Sequence, residues 1–281
     1  MPPIPRSTHR SSVAFVLLML SFTANSAMAQ WVDYPTANVP RTPDGAVDMT
    51  APVPRLPNGK PDLSGIWVPS STNRQVDGKD LVSDGNDITT SPQMANIGVD
   101  LPDGLPYQEW LIPVVKARTD NLAIDDPHIR CLPDNFLRAY GLPHMLKYVH
   151  TDGLWVTLNE MNAGYRQVFT DARVLPDDPN PSWQGYSSAT WAGDTLVVET
   201  IGLRDDTWID WNGSVLTESA KVREEITRPD YGHIEIKVTV DDPKAYTKPW
   251  TVTLKQRIVV DAELIDEICL ENEQFVNLMK K

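Results

Sequence analysis

The chain has 281 residues, with 25 Lys or Arg against 38 Asp or Glu, and its formal net charge at pH 7 is −13. Nucleic acid and anionic membrane surfaces repel such an acidic protein, so neither is expected as a partner. The length suffices for one large β domain or for two small ones.

Residues 1–29 have the pattern of a signal peptide for export. Arg6 and Arg10 precede the apolar run Val13–Phe22, and Ala27–Ala29 gives a small-x-small cleavage pattern before Gln30. The apolar run is too short to cross a bilayer as a helix, and no later run approaches the required length. The sequence therefore predicts a periplasmic or secreted protein without membrane insertion.

The two cysteines, Cys131 and Cys269, are predicted to form one disulfide, which is the default for an exported protein. Neither lies in a CxxC pair, so no redox motif is indicated. The alternative is two free thiols, one of them a nucleophile.

Residues 30–142 are predicted to form a Pro-rich arm, a loop and a short helix that pack on the following domain. The turn-forming run Pro40–Gly45 recurs as Pro54–Gly59, and the arm then enters a strand near Trp67. Residues 73–106 are polar and indicate a lid, a partner-binding arm or disorder. Pro106–Arg118 has a helical pattern that Pro113 kinks or interrupts.

Residues 143–281 alternate between apolar and polar residues and are predicted to form an antiparallel β domain. The clearest hairpin joins Tyr186–Trp191 to Asp194–Thr200 through a turn at Gly193, and a long strand follows at Glu218–Arg228. Seven or eight such strands predict a mainly β fold, a meander closed into a lipocalin-like barrel or folded as a sandwich. An eight-stranded barrel holds either packed side chains or one small ligand.

Five segments of the chain carry a family resemblance: Pro57–Trp67 (PNGKPDLSGIW), Cys131–Pro133 (CLP), Trp191–Thr200 (WAGDTLVVET), Asp241–Trp250 (DDPKAYTKPW) and Ile268–Asn272 (ICLEN). They resemble a family of exported bacterial proteins that has no agreed activity, so the resemblance implies export but no reaction. Two usual family patterns differ here: the hairpin begins with Gly185-Tyr186-Ser187 instead of Gly-His-Ser, and Val215-Leu216-Thr217 replaces Pro-His-Ser/Thr. The strand pattern also loosely resembles lipocalins.

Three polar residues, Glu160, Glu224 and Gln256, are expected on apolar faces of predicted strands. Burial of a carboxylate is costly unless it is paired or its pKa rises, and a carboxyl with a raised pKa serves as a general acid or base. We expect Arg166 and Tyr165 to be the electrostatic partners of Glu224 and Glu160 in such a site. The alternative is a buried salt bridge without catalytic role, joining Glu224 to Arg166 or to Arg257.

The remaining candidate residues are aromatic or imidazole side chains that could bind a ligand together with Gln256. Trp191, Trp208 and Trp211 either line an apolar ligand site or cap the bottom of the barrel. His144 and His150 share a face of one predicted strand, but their spacing places them roughly 20 Å apart, too far to bind one ion. No metal site and no cofactor are therefore predicted.

The sequence thus predicts an exported β-barrel that binds a small apolar or aromatic molecule. It contains no GxSxG, GxxxxGK[ST], GxGxxG or HExxH motif, so an enzyme of this sequence would be a cofactor-independent lyase, hydratase or isomerase with Glu224 or Glu160 as proton carrier. The alternatives are a non-catalytic ligand-binding or envelope scaffold module, and a metal-assisted hydrolase that uses His144 or His150. The pattern predicts no oligomeric state.

Overall fold

A computed structural model of the protein describes residues 35–70, 75–76, 79–80, 91–205 and 207–271. The predicted signal peptide and much of the predicted polar loop lie outside these ranges. Within them, nine strands close into a barrel, which confirms the mainly β prediction. The barrel strands are β1 (Gly65–Pro69), β4 (Leu146–Thr151), β5 (Leu154–Asn159), β6 (Tyr165–Phe169), β7 (Tyr186–Ala192), β8 (Thr195–Ile201), β11 (Lys221–Thr227), β12 (His233–Asp241) and β13 (Trp250–Val259).

Strands β4, β5, β6, β7, β8, β11, β12 and β13 follow one another around the barrel, and β1 closes it between β13 and β4. Four further strands of two residues each pair outside the barrel, β2 (Gln75–Val76) with β3 (Lys79–Asp80) and β9 (Thr207–Trp208) with β10 (Val215–Leu216). The helices are short: Pro92–Ala95, Leu111–Asp120 and Phe136–Ala139, with a 3-10 turn at His128–Arg130. Pro113 does not interrupt its helix, because it lies in the first turn, where its missing N–H has no partner to lose.

One junction of the barrel departs from the predicted antiparallel meander. Strands β6 and β7 run parallel, and only two residue pairs join them, Val168 with Ser187 and Phe169 with Ser188. A parallel pair needs a connection that returns to the starting end of the barrel. Residues 170–185 make that return, and the prolines among them cannot contribute N–H groups to a sheet. We call this junction the seam.

The predicted alternation places the expected side chains inside the barrel on β11, β12 and β13, but not on β5. The predicted inward position of Glu160 implies that Leu154, Val156 and Leu158 also point inward, but Trp155 and Thr157 are buried there instead. Apolar residues occupy both faces of this strand, so the pattern does not show which face points into the barrel. The ring of Trp155 packs edge-on against Tyr148, with 5.0 Å between ring centroids, and so decides which face is inside.

The two copies of the N-terminal repeat form the same small hairpin. Arg41 donates to the carbonyl oxygen of Gly45, and Arg55 donates to that of Gly59, at 3.1 and 2.9 Å. Each arginine also forms a salt bridge with an aspartate near a barrel end: Arg41 with Asp261 at 3.2 Å, and Arg55 with Asp194 at 2.7 Å. The repeat thus attaches the arm to the barrel at two places.

The segment after the second copy closes one end of the barrel around Trp67. The indole of Trp67 is buried, donates to the carbonyl oxygen of Leu63 at 3.2 Å and lies 4.9 Å from the guanidinium of Arg228. Burial lowers the pKa of Arg228 to about 10. Its N–H groups bind the backbone carbonyl oxygens of Asp62, Asp230 and Tyr231, so the cation is well solvated by the backbone.

Replacing Trp67 with Ala should lower the free energy of unfolding by about 3–5 kcal/mol, because it removes the largest side chain from this end of the core. Trp211→Ala is the matched control: Trp211 is 46% exposed, and its loss should cost less than about 0.5 kcal/mol. Urea unfolding measures both changes. Equal losses for the two variants would contradict the role of Trp67 in closing the barrel.

Candidate functional site

A buried ion pair between Arg166 and Glu224 lies inside the barrel. The guanidinium binds the carboxylate through both terminal nitrogens, at 3.1 and 2.5 Å, and both side chains are almost fully inaccessible to solvent. Arg166 comes from β6 and Glu224 from β11, so the pair spans the barrel interior. This arrangement is the salt-bridge alternative that the sequence offered for Glu224.

Neutral hydrogen-bonding groups surround the ion pair. Tyr140 donates its hydroxyl to Glu224 at 2.8 Å and accepts from Arg166 at 2.9 Å. Arg166 also donates to Ser187 and Thr200, whose hydroxyl groups are 2.8 Å apart. The Nε–H also donates to Ser187, at 3.3 Å, so all five N–H groups of the guanidinium are directed at acceptors in the protein and none needs a ligand.

The environment favours the charged form of Arg166 and the neutral form of Tyr140. Burial is the largest influence on Arg166 and opposes its charge, but the Glu224 carboxylate, Tyr140 and Tyr148 together outweigh burial and raise the pKa of the guanidinium. Burial raises the pKa of Tyr140 well above its ordinary value, and the Glu224 charge raises it further. Tyr140 is consequently a hydrogen-bond donor and cannot serve as a base near neutral pH.

Gln256 joins the same polar layer through Tyr148. The Tyr148 hydroxyl donates to the Gln256 side-chain oxygen at 2.7 Å, and burial raises the pKa of this tyrosine. The side-chain nitrogen of Gln256 is buried and has no hydrogen-bond partner in the described part of the chain, and the same holds for the indole nitrogen of Trp155. The interior is thus polar around Arg166 and aromatic around Tyr148.

The helix Phe136–Ala139 covers this polar layer. Asn135 caps the helix by accepting from the N–H of Arg138 at 3.0 Å, and it also donates to the carbonyl oxygen of Trp208. Arg138 is buried and pairs with Asp126 at 2.6 Å. These contacts hold Phe136 over the Arg166 guanidinium, with 3.6 Å from the guanidinium carbon to the ring centroid.

A cavity of about 70 Å³ lies between this helix and the seam. Its polar wall includes Arg166, Tyr140, Thr157 and Gln184. The Thr157 hydroxyl oxygen and the Gln184 side-chain oxygen are buried and have no hydrogen-bond partner within the described ranges. The full wall consists of Pro133, Asp134, Phe136, Ala139, Tyr140, Leu146, Thr157, Asn159, Met161, Asn162, Gly164, Tyr165, Arg166 and Gln184.

The structure brings Glu224, Arg166 and Gln256 into one layer but leaves Glu160 and Tyr165 outside it. The Glu160 carboxylate accepts from the backbone N–H of Met145 at 3.1 Å, beyond the end of β5. The Tyr165 side chain is 63% exposed and lies at the edge of the cavity. Tyr165 alternates with Arg166 along β6, so the two side chains point to opposite faces.

The predicted ligand-binding rings lie at separate places. Trp191 stacks on His150, with ring centroids 5.8 Å apart, at the end of the barrel that carries Lys60. Burial lowers the pKa of His150, which favours the neutral ring. Trp208 is buried beneath Arg118, whereas His144 binds Glu267 at 3.1 Å. Trp211 is exposed and does not belong to the cavity wall.

The predicted disulfide between Cys131 and Cys269 is formed. In the described part of the chain, no group of three or more His, Cys, Asp or Glu side chains is placed to bind a metal ion. Nor does any helix there have the length and apolar character needed to cross a membrane.

Comparison with models of known protein families, with curated proteins and with solved structures gave no match. The resemblance to a family of exported bacterial proteins therefore stays a prediction. The site has to be interpreted from its own geometry.

Sequence reasoning missed Tyr140, Tyr148, Ser187 and Thr200. The signal for Ser187 and Thr200 was present, because the predicted hairpin pairs them directly and both occupy inward positions on it. Tyr148 lies on the same face of its predicted strand as His144 and His150, which the sequence analysis named as candidate ligand-binding residues. Tyr140 follows a short helix outside the barrel strands, and no local pattern indicates that its hydroxyl reaches Glu224.

Glu224→Gln should lower the free energy of unfolding by about 3–5 kcal/mol, because it leaves the Arg166 charge buried without its counter-ion. The double variant Glu224→Leu/Arg166→Met removes both charges and should be more stable than Glu224→Gln. Urea unfolding of the variants measures the difference. If Glu224→Gln is as stable as the wild type, the ion pair is not what keeps this interior folded.

Proposed function

We propose that the protein binds a small molecule at the cavity between the helix Phe136–Ala139 and the seam. The observation that carries the proposal is that this cavity adjoins a polar layer and has two wall residues, Thr157 and Gln184, with unpartnered buried oxygens. An unpartnered buried polar atom costs free energy unless a water or a ligand satisfies it. The location supports access as well, because Arg166 and Gln184 of the wall precede the two residue pairs of the seam, so no sheet ladder joins β6 to β7 beside the cavity.

The chemistry of the wall favours a neutral ligand with a hydrogen-bond donor. Glu224 compensates the charge of Arg166, so the wall offers no unpaired cation to an anion. The Gln184 amide nitrogen donates to the carbonyl oxygen of Asp134 at 2.7 Å, and this bond fixes the amide so that its oxygen remains an acceptor. A hydroxyl or a primary amide group satisfies that oxygen.

The size of the cavity limits what can enter. An engineered cavity of about 150 Å³ binds benzene, so about 70 Å³ holds a polar head group and not a whole aromatic ring. The apolar body of the ligand would then extend out of the cavity.

Binding is better supported than proton transfer. Glu224 does not contribute to the cavity wall in the described structure, and its partners Arg166 and Tyr140 lie between the carboxylate and the cavity. A general acid or base must come within hydrogen-bond distance of the proton that it transfers. Acid–base chemistry at Glu224 would require this network to open.

Benzyl alcohol, toluene and benzoate form a matched set of probes for this site. Benzyl alcohol should bind most tightly in an NMR titration of the full chain, because toluene lacks the donor and benzoate carries a charge. Thr157→Val should weaken benzyl alcohol binding by about 3- to 10-fold, the value of one neutral hydrogen bond. It should leave the stability unchanged or slightly higher, since the hydroxyl has no partner in the described structure.

Thr253→Val on the outer face of β13 is the matched control and should leave binding unchanged. Equal affinity for the three probes in the wild type would contradict recognition of a donor group. An absence of binding would favour the scaffold alternative, in which water fills the cavity.

We also propose that the protein is exported. The Cys131–Cys269 disulfide supports this, because disulfides persist in oxidising compartments. The protein recovered from the periplasm or medium of its own cells should have the intact mass of a chain that begins at Gln30 and contains one disulfide. A mass that includes residues 1–29 would contradict cleavage of the predicted signal peptide.

A further inference from the structure

We propose that the Cys131–Cys269 disulfide is a reducible clasp that holds the rim of the cavity closed, so that the redox state of the surroundings controls ligand access. This regulation rests on the proposed binding function. On one side of the disulfide, Cys131 is followed within three residues by Pro133 and Asp134, which belong to the cavity wall. The disulfide ties this side of the wall to the C-terminal segment, residues 261–271.

On the other side, the C-terminal segment holds the turn Met161–Gly164, which also belongs to the wall. The N–H of Cys269 donates to the side-chain oxygen of Asn162 at 3.1 Å, and the N–H of Asn162 donates to the carbonyl oxygen of Glu267 at 2.6 Å. Residues 261–271 form no strand beyond an isolated bridge between Met161 and Glu267. Besides the disulfide, a few hydrogen bonds and the salt bridges of Asp261, Glu263 and Glu267 hold this segment, and of these contacts only the disulfide is covalent.

The backbone of the turn Met161–Gly164 is strained, so we expect the turn to change conformation when the disulfide is reduced. Asn162 and Ala163 have φ values of 55° and 47°, in the left-handed region. Asn tolerates this region, whereas for Ala it is unfavourable, and such a conformation persists only where the surroundings enforce it. The contacts from Glu267 and Cys269 supply that enforcement.

The disulfide is accessible to a reductant. Both cysteines are half-buried, and their neighbours Leu132 and Leu270 are 42% and 71% exposed. A thiolate of a dithiol attacks one sulfur, the S–S bond breaks, and the other cysteine leaves as a thiolate. The second thiol of the reductant then displaces the first cysteine, so two electrons pass to the cystine and the dithiol becomes a disulfide.

Hydrogen exchange of the full chain, with and without dithiothreitol, tests the clasp independently of any ligand. Reduction should speed exchange at the amides of Asn162, Glu267 and Cys269 at least tenfold and leave the β11–β12 hairpin unchanged. Unchanged rates at the rim would overturn the proposal, and so would a uniform rise that includes the hairpin, because reduction would then loosen the whole fold.

Two alanines with positive φ provide matched variants. Ala163→Gly relieves the strain in the turn and should reduce the rise in exchange at Asn162 several-fold. Ala172, with φ 59°, lies outside the clasp, so Ala172→Gly should behave like the wild type. An undiminished rise in Ala163→Gly would exclude strain as the driving force and would overturn this part of the mechanism.

Benzyl alcohol separates failure of the clasp from failure of the binding function. Reduction should make its dissociation from the wild type several-fold faster, and the variant Cys131→Ser/Cys269→Ser should match the reduced protein. Equal dissociation from both redox forms, with an unchanged rim, would overturn the clasp and leave the binding function standing. A rim that opens on reduction without binding in either form would support the clasp's mechanics and overturn the binding function.

Discussion

The buried ion pair between Arg166 and Glu224 constrains the rest of the barrel interior. Moving two charges out of water costs several kcal/mol for each ion, and only good geometry with further hydrogen bonds offsets that cost. The surrounding strands provide the geometry: β6 and β11 supply the charges, while β7 and β8 supply Ser187 and Thr200. Tyr140 completes the set from outside the barrel, so the covering helix and the barrel depend on one another.

The candidate site lies beside the part of β6 that has no partner residues on β7. Arg166 comes from the half of β6 that precedes its two pairs with β7, so the wall beside it is closed by side chains and not by a sheet ladder. A wall of this kind leaves space, and Thr157 and Gln184 border that space with oxygens that have no partner in the described structure. The pairing of Arg166 with Glu224 makes the same wall electrically neutral, and this determines the kind of ligand that suits it.

Much of the fold was predictable because it depends on local patterns. The alternation of apolar and polar residues predicted β11, β12 and β13. A glycine turn predicted the β7–β8 hairpin, and the two cysteines predicted the disulfide. The sequence did not show which face of β5 points into the barrel, because apolar residues lie on both faces. Only the packing of Trp155 against Tyr148 decides between them. The parallel seam was missed because a proline-rich connection does not reveal which strand end it returns to.

The sequence by itself determined the strands, the disulfide partners and the presence of a carboxylate on an inward face, since each follows from residue type and spacing. Only the tertiary structure decided that Glu224 is paired, that Tyr140 and Tyr148 complete the polar layer, and that Glu160 and Tyr165 lie outside it. The reason is physical: alternation assigns a side chain to a face, whereas the partner it meets depends on barrel closure and on register between strands distant in sequence.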